Sequence, residues 1–110
     1  MIELDIEQYQ VVIVNLDPTV GSEIKKTRPC VVLSPDEMNR QLRTVIIAPL
    51  TSTSKNYPTR VPVRLRKQKS WAVLDQIRTI DRRRIIKSAE SLKDGEVEQI
   101  KSVIREMLVD

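Results

Sequence analysis

Proline punctuates runs of β-branched residues along most of this chain, and that alternation leaves sheet as the main way to fold it. Val11-Val12-Ile13-Val14 lies in an apolar run over residues 9–16 that stops at Asp17-Pro18. Cys30-Val31-Val32-Leu33 follows Pro29 and ends before Ser34-Pro35, and Val45-Ile46-Ile47, within residues 44–48, ends at Pro49. β-Branched side chains suit a pleated backbone, and proline neither donates to a ladder nor continues a helix. Each run therefore reads as a buried strand bounded by a turn.

From Arg60 the pattern becomes strict alternation. Val61, Val63 and Leu65 fall on one side, with Arg60, Pro62, Arg64 and Arg66 on the other. That predicts one apolar and one basic face, and Pro62 places the strand at a sheet edge. Further strand-like runs occupy residues 71–80 and Arg84-Ile85-Ile86. Only the C-terminus carries a sustained helical period: Val97, Ile100, Ile104, Met107 and Leu108 form one stripe, after Ser91 and Asp94, either of which can cap it. A short helix is expected at Pro35-Asp36-Glu37-Met38-Asn39, with acids in its first turn. The expected class is α+β, mainly β: a small antiparallel barrel or strongly bent sheet with a terminal helix packed on it.

The chain has 110 residues, which predicts a single domain over 1–110 that removes roughly 65% of its unfolded surface from water. Tyr9, Tyr57 and Trp71 are its only aromatics, so the core must be aliphatic. One Cys and no His exclude an internal disulfide and any zinc-finger, haem or iron–sulfur ligand set, so no cofactor or metal is expected. The missing His also excludes Ser-His-Asp, Cys-His and two-histidine nuclease mechanisms, leaving carboxylates, hydroxyls, Lys and Arg for any chemistry. With only Gly21 and Gly95 the chain holds no Walker A or dinucleotide loop. No apolar run approaches the ~18 residues of a membrane span, and the start carries Glu3, Asp5 and Glu7 where a signal peptide would be basic, so a cytoplasmic protein with no membrane partner is expected.

Charge is distributed unevenly. Residues 1–53 hold 5 basic and 7 acidic groups, residues 54–87 hold 11 and 2, and residues 88–110 hold 3 and 6. If the middle block folds onto one surface it makes a polyanion-binding face; otherwise it is a solvated basic face.

Three stretches carry a resemblance. Residues 17–29, Asp17-Pro18-Thr19-Val20-Gly21-Ser22-Glu23-Ile24-Lys25-Lys26-Thr27-Arg28-Pro29, run into Val31-Val32-Leu33-Ser34. Pro49-Leu50-Thr51-Ser52 and Asp75-Gln76-Ile77-Arg78-Thr79-Ile80-Asp81 follow in order. Together they cover nearly the whole chain and resemble the signature of the MazF/PemK family of toxin endoribonucleases. The resemblance implies the toxin of a type II toxin-antitoxin pair. Such a toxin is an SH3-like β-barrel homodimer that cuts single-stranded RNA at a short preferred sequence without a metal. It leaves a 2′,3′-cyclic phosphate and a 5′-hydroxyl, and a cognate antitoxin occludes the RNA groove. Carried onto matching positions, Arg28 and Thr51 are the catalytic pair. Glu23 is the nearest carboxylate, able to act as base or to orient Arg28, with solvent as the alternative base. Ser22, Lys25, Ser52, Lys55, Tyr57, Asp75, Gln76 and Arg78 are the expected RNA contacts. Plasmid-type members place a His in the first loop and an Arg just before the Asp-Gln pair, where this chain has Ser22 and Val73; their acid–base scheme does not transfer. The opening Gln8-Tyr9-Gln10 replaces the Gly-Asp or Gly-Glu common before the first strand.

Chemistry suits these residues. RNA carries its own nucleophile in the 2′-hydroxyl, so the protein need only position it and stabilise charge on the phosphorane. The planar Arg28 fork matches two phosphate oxygens and stays charged at physiological pH, and Thr51 can donate to the same phosphate. Structural alternatives stand beside each role. Arg28 could form a surface ion pair, Thr51 and Ser52 could be turn hydroxyls, and Asp75, expected to be buried, could bond Arg78 or a loop amide. Trp71 suits a base platform, the core or a dimer contact, and the rim of Lys55, Tyr57 and residues 60–69 suits RNA or an acidic antitoxin tail. A non-catalytic small barrel that binds RNA or protein is the alternative function.

Overall fold

A computed structural model describes residues 5–16, 27–53 and 56–110. Its strands are β1 (Gln10–Asn15), β2 (Thr27–Val32), β3 (Thr44–Thr51), β4 (Arg60–Leu65), β5 (Gln68–Val73), β6 (Arg78–Asp81) and β7 (Ile85–Ser91), with helices α1 (Asp36–Gln41) and α2 (Asp94–Ile104). All the pairings are antiparallel, in the order β4-β5-β3-β2-β1-β7, with β6 also on β3. The sheet curls into a half-barrel with α2 against its concave face, as the sequence predicted.

The apolar runs are continuous because β1, β2 and β3 are covered on both faces. Val11, Val31, Ala48, Leu50, Val61, Ala72 and Leu74 form one cluster with Ile100 of α2. The alternate residues Val12, Val14, Cys30, Val32, Val45, Ile47, Ile80 and Ile85 form a second.

β4 is the edge strand that Pro62 predicted. Carboxylates cap two N–H groups along this edge: Arg64 N–H donates to Glu96 of α2 at 2.7 Å and, just past the strand, Arg66 N–H to Glu90 of β7 at 2.8 Å. Pro62 lies two residues before Arg64, so its missing donor falls on the same outer edge, where no ladder bond is lost. These side-chain bonds protect the edge and tie it across the curl to β7 and α2.

Pro49 does not end β3, contrary to the expectation from its run. Leu33 N–H donates to Ile46 C=O, so with a period of two the even residues of β3 bond β2. Pro49 therefore turns its nitrogen the other way, between Ile47, where β6 pairing ends, and Leu50, where β5 pairing begins. The proline sits where the strand changes partner and needs no donor.

α1 forms where expected and extends to Gln41; Asn39 and Ser34, both buried, bond each other and hold it against β3 through Ile46 N–H. Neither expected cap starts α2: Ser91 ends β7 and Asp94 is already helical. Glu96 does that work by accepting the Lys93 N–H at 2.9 Å. Val97, Ile100, Ile104 and Met107 pack inward, joined by Val103. Leu108 leaves the stripe and is 66% exposed. From Arg105 the helix widens into π turns that close with Asp110 N–H on Arg105 C=O, which rotates the last residues off the α-helical stripe.

Among the described residues, three non-glycine residues have positive φ. Tyr9, at 66°, stands at the strand entry, its N–H on Val32 C=O at 2.7 Å. Arg66 and Lys67, at 51° and 69°, form the two-residue turn between Leu65 and Gln68. Two successive positive φ values are what a type I′ hairpin demands, and Asn-Gly meets that demand without strain. Lys67→Gly is expected to stabilise the fold by about 1 kcal/mol, read as a higher urea midpoint at unchanged m.

Candidate functional site

The ends of β2, β3 and β6 converge beside the β4–β5 hairpin. The β2–β3 register pairs Val31 with Ala48 and Cys30 with Pro49, where it ends; Arg28 lies two residues before that last pair on β2 and Thr51 two residues beyond it on β3, at the same end of the sheet. Arg78 opens β6 and pairs with Ile47. Both guanidinium groups lie near enough to the Cys30 thiol to act on it electrostatically. Among the described residues neither Arg28 nor Arg78 has an ion-pair partner, so the surface ion pair considered for Arg28 does not form there.

Thr51 is half-buried at the end of β3. Its hydroxyl donates to Thr53 C=O at 3.0 Å and accepts the Thr53 N–H at 3.3 Å, so it serves as a turn hydroxyl in this state. Ser52 follows and is exposed. Tyr57 is 46% exposed, with the Arg60 guanidinium 4.9 Å from its ring centroid. Gln76 is exposed at the end of a 3-10 turn, Leu74–Gln76. Ser22, Glu23, Lys25 and Lys55 lie outside the described residues.

Asp75 differs from expectation. It is an exposed carboxylate, and its partners are Arg60 at 3.4 Å and the Thr59 hydroxyl at 2.9 Å, not Arg78. Partial desolvation raises its pKa, but the hydrogen bonds from Arg60, Thr59 and its own N–H, with the Arg60 charge, outweigh that and hold the carboxyl below its ordinary value. Arg78 is thereby left for another partner.

The basic block of residues 54–87 does not collect on one surface. Arg82 donates to the Asn39 and Leu42 carbonyls at the end of α1, and Arg84 to Asn15 C=O. Arg83 grips Asp81 at 3.0 Å, and its guanidinium and backbone N–H hold that carboxyl at about 2. Those three arginines are structural. The cations of the β4–β5 hairpin remain beside the converging strand ends.

Cys30 is fully buried, and desolvation pushes its thiol up to about 12 against the opposing charges of Arg28 and Arg78. The unfolded thiol ionises near ~8.5, so the folded state keeps a proton the unfolded state loses. This contribution to stability is whole below that value and falls as pH rises above it. Relative to Cys30→Ala, the wild type is expected to lose about 1–2 kcal/mol between pH 8 and pH 10, measured by urea unfolding.

The sequence left Trp71 open between a base platform, the core and a dimer contact, and placed Lys69 only in the general basic rim. Trp71 is half-buried and pairs with Thr51, and the Lys69 ammonium lies 4.9 Å from its ring centroid. Only the β3–β5 register brings them to Thr51, and no local signal encodes it. Among the described residues no helix is long and apolar enough to cross a membrane, and no group of three or more His, Cys, Asp or Glu could hold a metal ion.

The fold is thus a curled antiparallel half-barrel that gathers arginines, a threonine and an aromatic at one set of strand ends. The chain belongs to the PemK-like, MazF-like toxin family of type II toxin-antitoxin systems, whose profile matches residues 7–108. It is 39% identical over 67 residues to the endoribonuclease toxin MazF of Escherichia coli strain K12, a stretch covering 61% of this chain and 60% of that relative's length. The crystal structure of MazF from Deinococcus radiodurans matches with a TM-score of 0.78 at 26% identity, over 96% of this chain and 98% of that one. MazE-MazF from the same organism matches at 0.83 and 25% identity, over 96% and 97%.

Proposed function

We infer that residues 1–110 act as one cytoplasmic toxin domain, an endoribonuclease that cuts single-stranded RNA at a short preferred sequence without a metal. The observation that carries this reading is that Arg28 and Thr51 lie at the same end of the sheet, each two residues beyond the last β2–β3 pair, in a chain of this family.

In the proposed step the 2′-oxygen attacks the adjacent phosphorus as the bond from phosphorus to the 5′-oxygen breaks. The 2′-hydroxyl proton passes to Glu23 or solvent, and the leaving 5′-oxygen takes a proton from solvent. The products are a 2′,3′-cyclic phosphate and a 5′-hydroxyl, with no atom left over. Arg28 holds the non-bridging oxygens and neutralises the charge that grows on them, and Arg78 adds a second cation. Thr51 exchanges the Thr53 carbonyl for a phosphate oxygen and keeps the phosphate in register. Gln76 offers a donor and an acceptor to a base edge, with Ser52, Tyr57 and Asp75 at the rim and Ser22, Lys25 and Lys55 completing the contacts.

The partners under this reading are single-stranded RNA, a cognate antitoxin that competes for the same basic surface, and a second copy of the chain. MazF of Deinococcus radiodurans, solved with MazE, supports the antitoxin.

The test is incubation of mixed-sequence single-stranded RNA with the purified chain in excess EDTA, with fragment ends assigned by mass. Sequence-selective cuts ending in cyclic phosphate are expected. RNA that is bound and left intact would sink the catalytic reading in favour of a non-catalytic binding module.

A further inference from the structure

Thr51 belongs to a row of side chains that crosses three strands. Leu50, Ala72 and Val61 pair across β3, β5 and β4, and all point into the core. Neighbouring residues on a strand face opposite ways, so the adjacent row turns outward. It contains Thr51 on β3, Trp71 on β5 and Pro62 on β4, and Arg28 lies on β2 two residues before the last β2–β3 pair, at the same end of β3. With strands ~4.8 Å apart, the Trp71 backbone is about 5 Å from that of Thr51.

Trp71 is thus not the core residue its apolar run suggested. Its ring is partly open, and the Lys69 ammonium is held against it. The next outward row pairs Lys69 with Arg64, and beyond it a groove between β4 and α2 is lined by Pro62, Arg64, Lys69, Lys93, Glu96 and Gln99. The one carboxylate among these is engaged by the Arg64 and Lys93 N–H groups. At the hairpin tip, Arg66 and Lys67 hold two more cations in left-handed backbone that Asn-Gly would occupy without strain. An aromatic face flanked by cations, continuous with a phosphate-holding pair, is what a single strand needs: bases stack while the backbone is tracked by charge.

We propose that Trp71, with Lys69 and Arg64 beside it, is a subsite for a nucleotide flanking the cut, so that the RNA strand runs from Arg28 and Thr51 across the outer face of β5 and β4. The subsite rests on the ribonuclease reading above. The Trp71 ring takes a base by stacking, and Lys69 and Arg64 hold the phosphates on either side.

Trp71 is the only tryptophan, so its emission reports on this subsite alone. The wild-type chain is titrated with mixed-sequence single-stranded RNA fully 2′-O-methylated, which lacks the nucleophile. Trp71→Ala, Trp71→Phe and the Lys69→Ala, Arg64→Ala pair are compared for binding of labelled RNA and for cleavage of unmodified RNA. Emission should be quenched on binding; Trp71→Ala should weaken binding about tenfold, chiefly in KM, with Trp71→Phe retaining most of it. The double variant should reduce the salt slope by roughly 1.4. Normal cleavage with unchanged emission and a fully competent Trp71→Ala overturns the subsite and leaves the ribonuclease standing. A wild-type chain that neither binds nor cuts RNA overturns both. Quenching by an acidic peptide and not by RNA overturns the subsite in favour of a protein contact. The emission titration uses the wild-type chain and does not depend on any variant folding.

Discussion

Arg28→Ala is expected to cut single-stranded RNA at least about 10²–10³-fold more slowly than wild type, with its melting temperature nearly unchanged. The magnitude is that of removing one preorganised donor from a developing oxyanion, and an arginine that neutralises a phosphoryl group reaches higher. Stability should hold because Arg28 is half-buried near a strand end with no ion-pair partner among the described residues. The backbone pairing of β2 with Val14 does not need the side chain. Arg28→Lys separates charge from geometry: a lysine keeps the cation but loses the planar fork, so it should recover only part of the rate. Single-turnover cleavage in excess EDTA, beside thermal melting by circular dichroism, checks both halves. An Arg28→Ala chain that cuts at the wild-type rate would move the chemistry away from this site.

The second large effect lies at the helix. Ile100→Ala should destabilise the fold by about 2–5 kcal/mol, against a total that for domains of this kind is only about 5–15 kcal/mol. Ile100 is fully buried where α2 meets the concave face, among Val11, Val31, Leu50 and Leu74. Val11, Val31 and Leu50 sit on strands whose positions are fixed by their own ladders, so they cannot collapse into the space the side chain leaves. Leu108→Ala is the control: on an α-helical stripe it would cost nearly as much, but at 66% exposure it should change stability by less than about 0.5 kcal/mol. Urea unfolding with an unchanged slope measures both. A large loss from Leu108→Ala would mean that the π turns at the end of α2 do not persist in solution.

Much of the sheet was legible. The β-branched runs marked β1, β2 and β3, the alternation from Arg60 marked β4 with its apolar face, and Pro62 marked the edge. β7 was only half visible, because beyond Ile86 it is Lys87-Ser88-Ala89-Glu90-Ser91, a polar stretch held in the sheet by β1 and not by its own propensity. Pro49 misled for a related reason: proline forbids a ladder bond, and only the change of partner from β6 to β5 creates a position in β3 where none is required.

For the site, residue types were readable but neighbours were not. The motifs named Arg28, Thr51, Asp75 and Arg78, yet the Asp75 partners Arg60 and Thr59 lie fifteen and sixteen residues away and meet it only through the β4–β5 hairpin. The sequence by itself determined the antiparallel, aliphatic class of fold, the helix at its end, and a chemistry without histidine, because these follow from local periodicity and from which side chains exist at all. The tertiary structure decided which cations are spent on holding carbonyls and carboxylates and which face solvent beside Thr51. It also brought Trp71 into the same row. Those outcomes depend on strand register, and register is set by the sum of distant pairings and by the curl that buries two opposite faces at once, neither of which any short stretch of sequence contains.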